Sequence, residues 1–145
     1  MSSQAEKLAD TVTRIWDNDL NAVIFEMADA NRVSVDAYIE GNLEILRKHD
    51  KTKTLYTIQD ISNPAVTLTP YLRKRLDEIT TYVKTHQIQV CTAIVMGDSF
   101  TGRVMRVFGH LFTINARYLK QVYFTDVAAA RNWLAAQQAN TRQQH

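Results

Sequence analysis

An α/β fold is predicted, because strand-like and helix-like segments alternate along the chain. The clearest unit is residues 53–85, where the run LYTI at 55–58 is followed by a polar loop and then by an amphipathic helical pattern. Similar units lie before and after it. The run VCTAIVM at 90–96 is almost continuously apolar, as in strands that are covered on both faces. The sequence therefore favours a row of strand-then-helix units around one sheet.

Composition limits the class of protein. A chain of 145 residues with 46% hydrophobic and 22% charged residues fits one globular domain with a sizeable core. The formal charge of +2 is too balanced to indicate a nucleic-acid-binding or membrane-surface protein. We see no signal region and no apolar run of membrane-spanning length, so we expect a cytoplasmic protein. The single cysteine, Cys91, lies in an apolar run and is expected to be a small buried hydrophobic residue.

The first third of the chain predicts a leader, a hairpin and a helix. Residues 1–10 are expected to be a flexible N-terminal leader. Strand patterns at 11–16 and 21–27 flank the turn residues DND, which predicts a β-hairpin. Ser34 is then expected to cap a helix. Its inward face repeats at helical spacing and consists of Val35, Ile39, Leu43 and Leu46.

The helix after the central strand has a clear start signal. Thr69 stands directly before Pro70, so a capping hydroxyl precedes the residue best suited to the first helical position. An apolar stripe follows at spacings of four, three and four. It is formed by Leu72, Leu76, Ile79 and Val83.

Three more elements are predicted after the strand at 90–96. A third helix covers residues 100–114, a strand covers 120–124, and a final helix begins after Asp126. Residues 138–145 are expected to be a polar tail.

The predicted third helix has an unusually wide apolar face. Apolar side chains cover about half of its circumference, whereas a helix packed on one sheet needs an arc of about 100°. The excess predicts a homodimer contact or a ligand cavity, or else a further layer of core against the final helix. The residues at the margins of this face, the candidate dimer or ligand face, are Phe100, Met105, Val107, Phe112 and Ile114.

Three patterns could carry chemistry, and each lacks a required part. The stretch GDSFTGR at 97–103 has the glycine spacing of a phosphate-binding loop, but Arg103 stands where that loop needs lysine and Val104 where it needs a hydroxyl. Its first four residues are similar to the nucleophile block of GDS-type esterases, but no Asp-x-x-His pair follows. The four histidines lack metal-ligand spacing. We therefore expect no enzymatic activity, no cofactor and no metal.

The order of elements and the central loop resemble the STAS domain of anti-sigma-factor antagonists. The leading hairpin, Asp60-x-Ser62 at the end of the central strand, and a hydroxyl nine residues after Asp60 carry this resemblance. The SpoIIAA-like proteins of the STAS and SEC14-like group are a closer match over residues 11–137. The shared features are the Gly97-Asp98 turn, the aromatic-rich third helix, the KQVYF strand, and an Ala-rich final helix with Trp133-Leu134.

This resemblance implies a single domain over residues 11–137, built as a right-handed succession of β-α units. Its mixed sheet would have about five strands, with the leading hairpin strand antiparallel and the remainder parallel. About four helices would pack on that sheet.

The resemblance also implies a role for the hydroxyl at the start of the central helix. In the antagonists this residue is a phosphorylatable serine. The matching residue here is Thr69, with Leu68 in place of the acid and Pro70-Tyr71 in place of the small pair. Thr69 is therefore interpreted as either a phospho-acceptor or a structural helix cap.

Two functions from different classes follow from the resemblance. The first is a non-enzymatic protein-interaction or regulatory module, in which half-exposed Tyr and Arg side chains contact a protein partner. The same side chains also fit ordinary tyrosines at the edge of the core beside a surface charge. The second function is binding of a lipid or another small hydrophobic ligand, as the SEC14-like relationship implies. For the first function, the candidate surface that contacts the protein partner consists of Asp60, Ser62, Tyr71, Arg75 and Tyr82.

Overall fold

A six-stranded mixed sheet runs through the part of the chain that the structure describes, residues 3–97 and 118–143 of a computed structural model. The first three strands form two antiparallel pairs, first with second and second with third, and the third to the sixth run parallel. Neighbours in the sheet are also neighbours in the chain. In that order the strands are β1 (Ser3–Ala9), β2 (Val12–Asp17), β3 (Ala22–Met27), β4 (Leu55–Ile61), β5 (Val90–Met96) and β6 (Leu119–Phe124).

Helices cover both faces of this sheet. α1 (Arg32–Lys48) and α2 (Pro70–His86) pack side by side on one face, and α3 (Val127–Gln143) lies on the other, against β4, β5 and β6. Because side chains alternate along a strand, Leu55 joins the core beneath α1 while Tyr56 joins the core beneath α3. The predicted α/β class is confirmed.

The first residues correct the prediction of a flexible leader. Residues 3–9 form β1, which pairs with β2 from Ser3 opposite Asp17 to Ala9 opposite Val12. Leu8 packs against the core and anchors the strand. The other β1 residues are mostly polar, so backbone pairing rather than apolar alternation holds the strand in place. The described residues therefore contain six strands, where about five were expected.

Two further predictions were wrong: the residue that caps α1, and the start of the C-terminal tail. Ser34 does not cap α1, because the N-cap position belongs to Asn31 and the buried Ser34 hydroxyl instead bonds to the hydroxyl of Thr11. The polar tail predicted from residue 138 is helical as far as Gln143. Gln138 is buried there, and its Nε2 donates to the backbone carbonyl of Leu20 at 2.6 Å. Position 138, where a polar tail was predicted to begin, is therefore anchored to the rest of the protein by a buried hydrogen bond, and the helix continues beyond it.

Some of the remaining predictions are confirmed, and others concern residues outside the described part of the chain. Cys91 is buried, as expected, and burial raises the pKa of its thiol to about 11. Asp126 accepts hydrogen bonds from the backbone N–H groups of Ala128 and Ala129 at the start of α3. The predicted helix at 100–114 lies outside the described residues, which form three helices where about four were expected. The candidate dimer or ligand face, Phe100, Met105, Val107, Phe112 and Ile114, lies outside them as well.

Candidate functional site

Helix α2 has well-defined ends but a loosely packed middle. Thr69 is its N-cap, and the Thr69 Oγ1 accepts a hydrogen bond from the backbone N–H of Leu72 at 3.0 Å. Leu72 and Val83, near the two ends of the helix, are its buried residues. Leu76 and Ile79, which lie between them on the same stripe, are only partly buried. The middle of α2 therefore stands away from the sheet.

A cavity of about 120 Å³ lies between the middle of α2 and the sheet, and we call it the α2 cavity. Its walls come from α1, α2, the loop before α2 and the strands β4, β5 and β6, and they are mostly apolar. Five of these elements, α1, α2, β4, β5 and β6, contribute large apolar side chains to the lining. They are Ile45, Leu55, Leu76, Ile79, Ile94 and Leu119.

One row of polar side chains crosses the floor of the α2 cavity. Thr57 of β4 is in register with Thr92 of β5, and Thr92 is in register with Gln121 of β6. The hydroxyl oxygens of Thr57 and Thr92 are 2.9 Å apart, and both residues are buried. Three neighbouring strands thus contribute one polar side chain each, at the same level of an otherwise apolar wall.

A buried hydrogen-bond network holds one end of this row in place. The Nε2 of Gln59 donates to Asn42 Oδ1 at 2.8 Å and to Thr57 Oγ1 at 3.3 Å. The Tyr38 hydroxyl donates to Gln59 Oε1 at 2.6 Å. Burial, and then the charge of Asp60, raise the pKa of Tyr38 far above its ordinary value, so this group is neutral at physiological pH. The network fixes the orientation of Thr57 from α1.

The described part of the α2 cavity lining is almost uncharged. Arg73 is the charged side chain that lines it among the described residues, and Arg73 is an exposed residue of α2. The polar groups on the strands are hydroxyls and amides. Such a surface offers hydrogen bonds but no buried charge for an ionised ligand.

The predicted partner surface on α2 is engaged within the chain. Arg75 forms ion pairs with Asp36 at 2.8 Å, Glu40 at 2.8 Å and Glu78 at 2.7 Å, and its side chain is 14% exposed. The hydroxyl of Tyr71 donates to the same Asp36 carboxylate. We call these five residues the Arg75 cluster. It ties α2 to α1.

The other predicted surface residues lie apart from this cluster or have internal partners. Tyr82 stacks on His86 with ring centroids 3.9 Å apart. Asp60 points toward the α3 face of the sheet, because it alternates in phase with Ile58, which packs there. Its Oδ1 accepts hydrogen bonds from the backbone N–H of Ser62 at 3.1 Å and from the Ser62 hydroxyl at 2.6 Å. The structure therefore does not bring Asp60 and Ser62 together with Tyr71 and Arg75.

Sequence reasoning missed the polar row and its network. A signal was present in β4, where the polar Thr57 and Gln59 stand two residues apart in a strand that is otherwise largely apolar. Thr92 similarly interrupts an apolar run. Polar side chains that share a buried face at period two indicate either a network or a site. Their alignment across strands, however, depends on the register between segments far apart in the chain.

No family model, curated protein or solved structure matches this chain at a significant level. The resemblance to STAS and SpoIIAA-like proteins stays a prediction. Residues 3–97 and 118–143 contain no group of three or more His, Cys, Asp or Glu side chains placed to hold a metal ion. Within the same ranges, none of the helices combines the length and the apolar character needed to cross a membrane.

Proposed function

We propose that this protein binds a small, mostly apolar molecule in the α2 cavity. The observation that carries the proposal is the partly enclosed, mostly apolar cavity whose floor bears a few aligned polar groups. Concave apolar walls with a small number of placed hydrogen-bonding groups are typical of small-molecule sites. The proposal corresponds to the small-ligand function that the SEC14-like resemblance implies.

The size of the cavity limits the ligand. An apolar cavity of roughly 150 Å³ holds one benzene molecule, and the α2 cavity measures about 120 Å³. A single ring or a short branched chain therefore fits. An unfilled cavity destabilises a fold in proportion to its volume, by about 24 cal/mol per Å³, so a ligand that fills it supplies contacts that the protein lacks.

The geometry favours the protein-interaction module less strongly. Arg75 and Tyr71 already have carboxylate partners on α1 or α2, so a protein partner would have to replace these bonds rather than satisfy free groups. A regulatory role of Thr69 through phosphorylation stays a prediction. Capture of a protein partner by wild type, lost in Thr69→Asp, would support that role.

Toluene is a suitable probe, because it fits a one-ring cavity and carries no polar group. We expect titration with toluene to shift the methyl NMR signals of Leu76, Ile79 and Ile94, which line the cavity. Two neighbouring substitutions provide a matched test on α2. Thr80 lines the cavity and Thr81 is exposed, so Thr80→Trp should abolish toluene binding and Thr81→Trp should leave it unchanged.

Circular dichroism and thermal unfolding would show that both variants fold. Absence of toluene binding to the wild type, or equal binding by folded Thr80→Trp and wild type, would contradict the proposed function. Toluene shifts confined to residues on the α3 side of the sheet, such as Ile58, would contradict the location.

A further inference from the structure

We infer that the ligand of the α2 cavity carries one uncharged hydrogen-bond donor, a hydroxyl or an amide N–H group, and that this group binds at Thr92. The inference rests on the proposed function and adds the chemical class of the ligand. Two observations support it. Some polar atoms on the cavity floor still have unfilled hydrogen-bonding capacity, and the described lining carries little charge.

The bonds on the floor use both donors of Gln59 and leave hydrogen-bonding capacity at Thr92. Both N–H groups of the Gln59 amide are used, one toward Asn42 and one toward Thr57. Thr57 accepts from Gln59 and bonds to Thr92. A hydroxyl has one donor and two acceptor sites, and Thr92 bonds to one side-chain hydroxyl. The oxygen of Thr92 therefore keeps at least one acceptor site for a ligand.

Burial makes this remaining capacity significant. Thr92 is 5% exposed, and it lines the α2 cavity. A buried polar atom with unfilled capacity gains more from a ligand than a solvated one does, because water does not compete there. The row continues to Gln121, the partly buried register partner of Thr92, whose amide offers both donor and acceptor atoms. One ligand group placed between them can donate to one side chain and accept from the other.

The charge of the lining selects an uncharged group. No carboxylate, ammonium or guanidinium group from the strands lines the described part of the cavity. Arg73, on α2, is exposed rather than part of the floor. Among the described residues, no cationic side chain lies on the floor, so an ionised carboxylate at Thr92 would lose its hydration without gaining a counter-ion there, which is costly. A phenol, an alcohol or an amide on a single ring avoids that cost and matches the volume.

Toluene, p-cresol and 4-methylbenzoate test the inference, because they share one methylated ring and differ in the polar group. We expect the wild type to bind p-cresol more tightly than toluene and to bind 4-methylbenzoate weakest at neutral pH. Thr92→Val keeps the side-chain shape and removes the hydroxyl. It should reduce the preference for p-cresol over toluene by roughly tenfold, measured as a ratio of dissociation constants by calorimetry.

Two further variants separate recognition from structure. Thr92→Ser keeps a hydroxyl and should keep the preference for p-cresol. Thr13→Val makes the same exchange in β2, away from the α2 cavity, and should leave the ratio at its wild-type value. A purely structural role for Thr92 would weaken both probes alike in Thr92→Val and leave the ratio unchanged.

The outcomes distinguish this inference from the proposed function. If toluene does not bind to the wild type, the proposed function fails. If toluene binds but Thr92→Val leaves the ratio of constants unchanged, or 4-methylbenzoate binds tightest, the inference alone is overturned. Loss of the p-cresol preference in Thr92→Val, with retention in Thr92→Ser, supports it.

Discussion

Helices α1 and α2 have the same length of 17 residues and lie side by side on one face of the sheet, yet they are held there differently. α1 buries nine residues, whereas α2 buries two. α1 is therefore fixed mainly by apolar packing. α2 depends on its N-cap, on two buried residues near its ends and on the Arg75 cluster. The comparison shows how one layer of a small domain can combine a close-packed helix with a helix that leaves room for a ligand.

The close approach of α1 depends on a small residue. A Cβ atom at Gly41 would lie 2.5 Å from the Leu8 Cδ1 and 3.3 Å from the Phe25 Cε1. Gly41 therefore lets the side chains of Leu8 in β1 and Phe25 in β3 approach the backbone of α1 closely. α2 contains no glycine, and its apolar stripe of about one residue per turn is too narrow to fill the space above β4 and β5.

The largest difference is expected when the same residue is truncated in both helices. Ile39 of α1 is completely buried, so Ile39→Ala should lower the free energy of unfolding by about 2–5 kcal/mol. Ile79 of α2 is partly buried and borders a cavity, so Ile79→Ala should cost about 1 kcal/mol or less. Urea denaturation of the two variants measures both values. Equal losses would show that α2 is packed as tightly as α1.

A smaller difference is expected at the helix N-termini. Thr69→Ala removes the hydrogen bond from the Leu72 N–H and should cost about 1 kcal/mol of stability. Asn31 occupies the same position in α1 without a side-chain capping bond, so Asn31→Ala should cost about 0.5 kcal/mol or less. Thermal unfolding at one pH compares the two. A larger loss for Asn31→Ala would contradict the assignment of α2 as the helix that depends on its cap.

The smallest expected effect is a pH dependence of stability, caused by the Asp36 carboxyl at the contact between α1 and α2. The hydrogen bond from Tyr71, and then the ion pair with Arg75, hold the pKa of Asp36 below its ordinary value of 3.8, against the opposing effect of burial. Because the folded carboxyl binds its proton less tightly than the unfolded one, this group stabilises the fold above about pH 4. The contribution is lost as the pH falls through the lowered pKa.

Tyr71→Phe tests this contact directly. It removes the main cause of the shift, so the pKa of Asp36, measured by NMR titration, should move up toward 3.8. Asp50 provides a control in the same protein, because hydrogen bonds from Thr52 lower its pKa. The pKa of Asp50 should not change in Tyr71→Phe. An unchanged Asp36 pKa would mean that Tyr71 does not bind this carboxylate in solution.

Local signals in the sequence predicted much of the fold. Thr69 before Pro70 marked the start of α2, and the apolar run at 90–96 marked the buried β5. β1 was missed because it carries few apolar residues, and the helical course beyond Gln138 was missed because a buried amide resembles a polar tail in sequence. Each of these depends on a partner distant in the chain, which local patterns do not reveal.

The candidate site was less predictable than the fold. The apolar stripe of α2 predicted which side faces inward, but not its distance from the sheet, which depends on the packing of α1 and of Gly41. The row from Thr57 to Gln121 exists only through the register of three strands. Tyr71 and Arg75 were predicted as a surface because their acidic partners on α1 lie far from them in the chain. Site geometry of this kind arises from tertiary alignment.

The strand order has a consequence for how the chain folds. Every described strand pairs only with the strands that precede and follow it in the chain, and the parallel pairs β3–β4 and β4–β5 are each separated by one helical segment. Loop closures are therefore short, which keeps contact order low for a mixed sheet and favours fast folding. The antiparallel strands β1, β2 and β3 can pair before the rest of the chain exists. During synthesis from the N-terminus, the sheet can then grow one strand at a time in the order in which the strands are made.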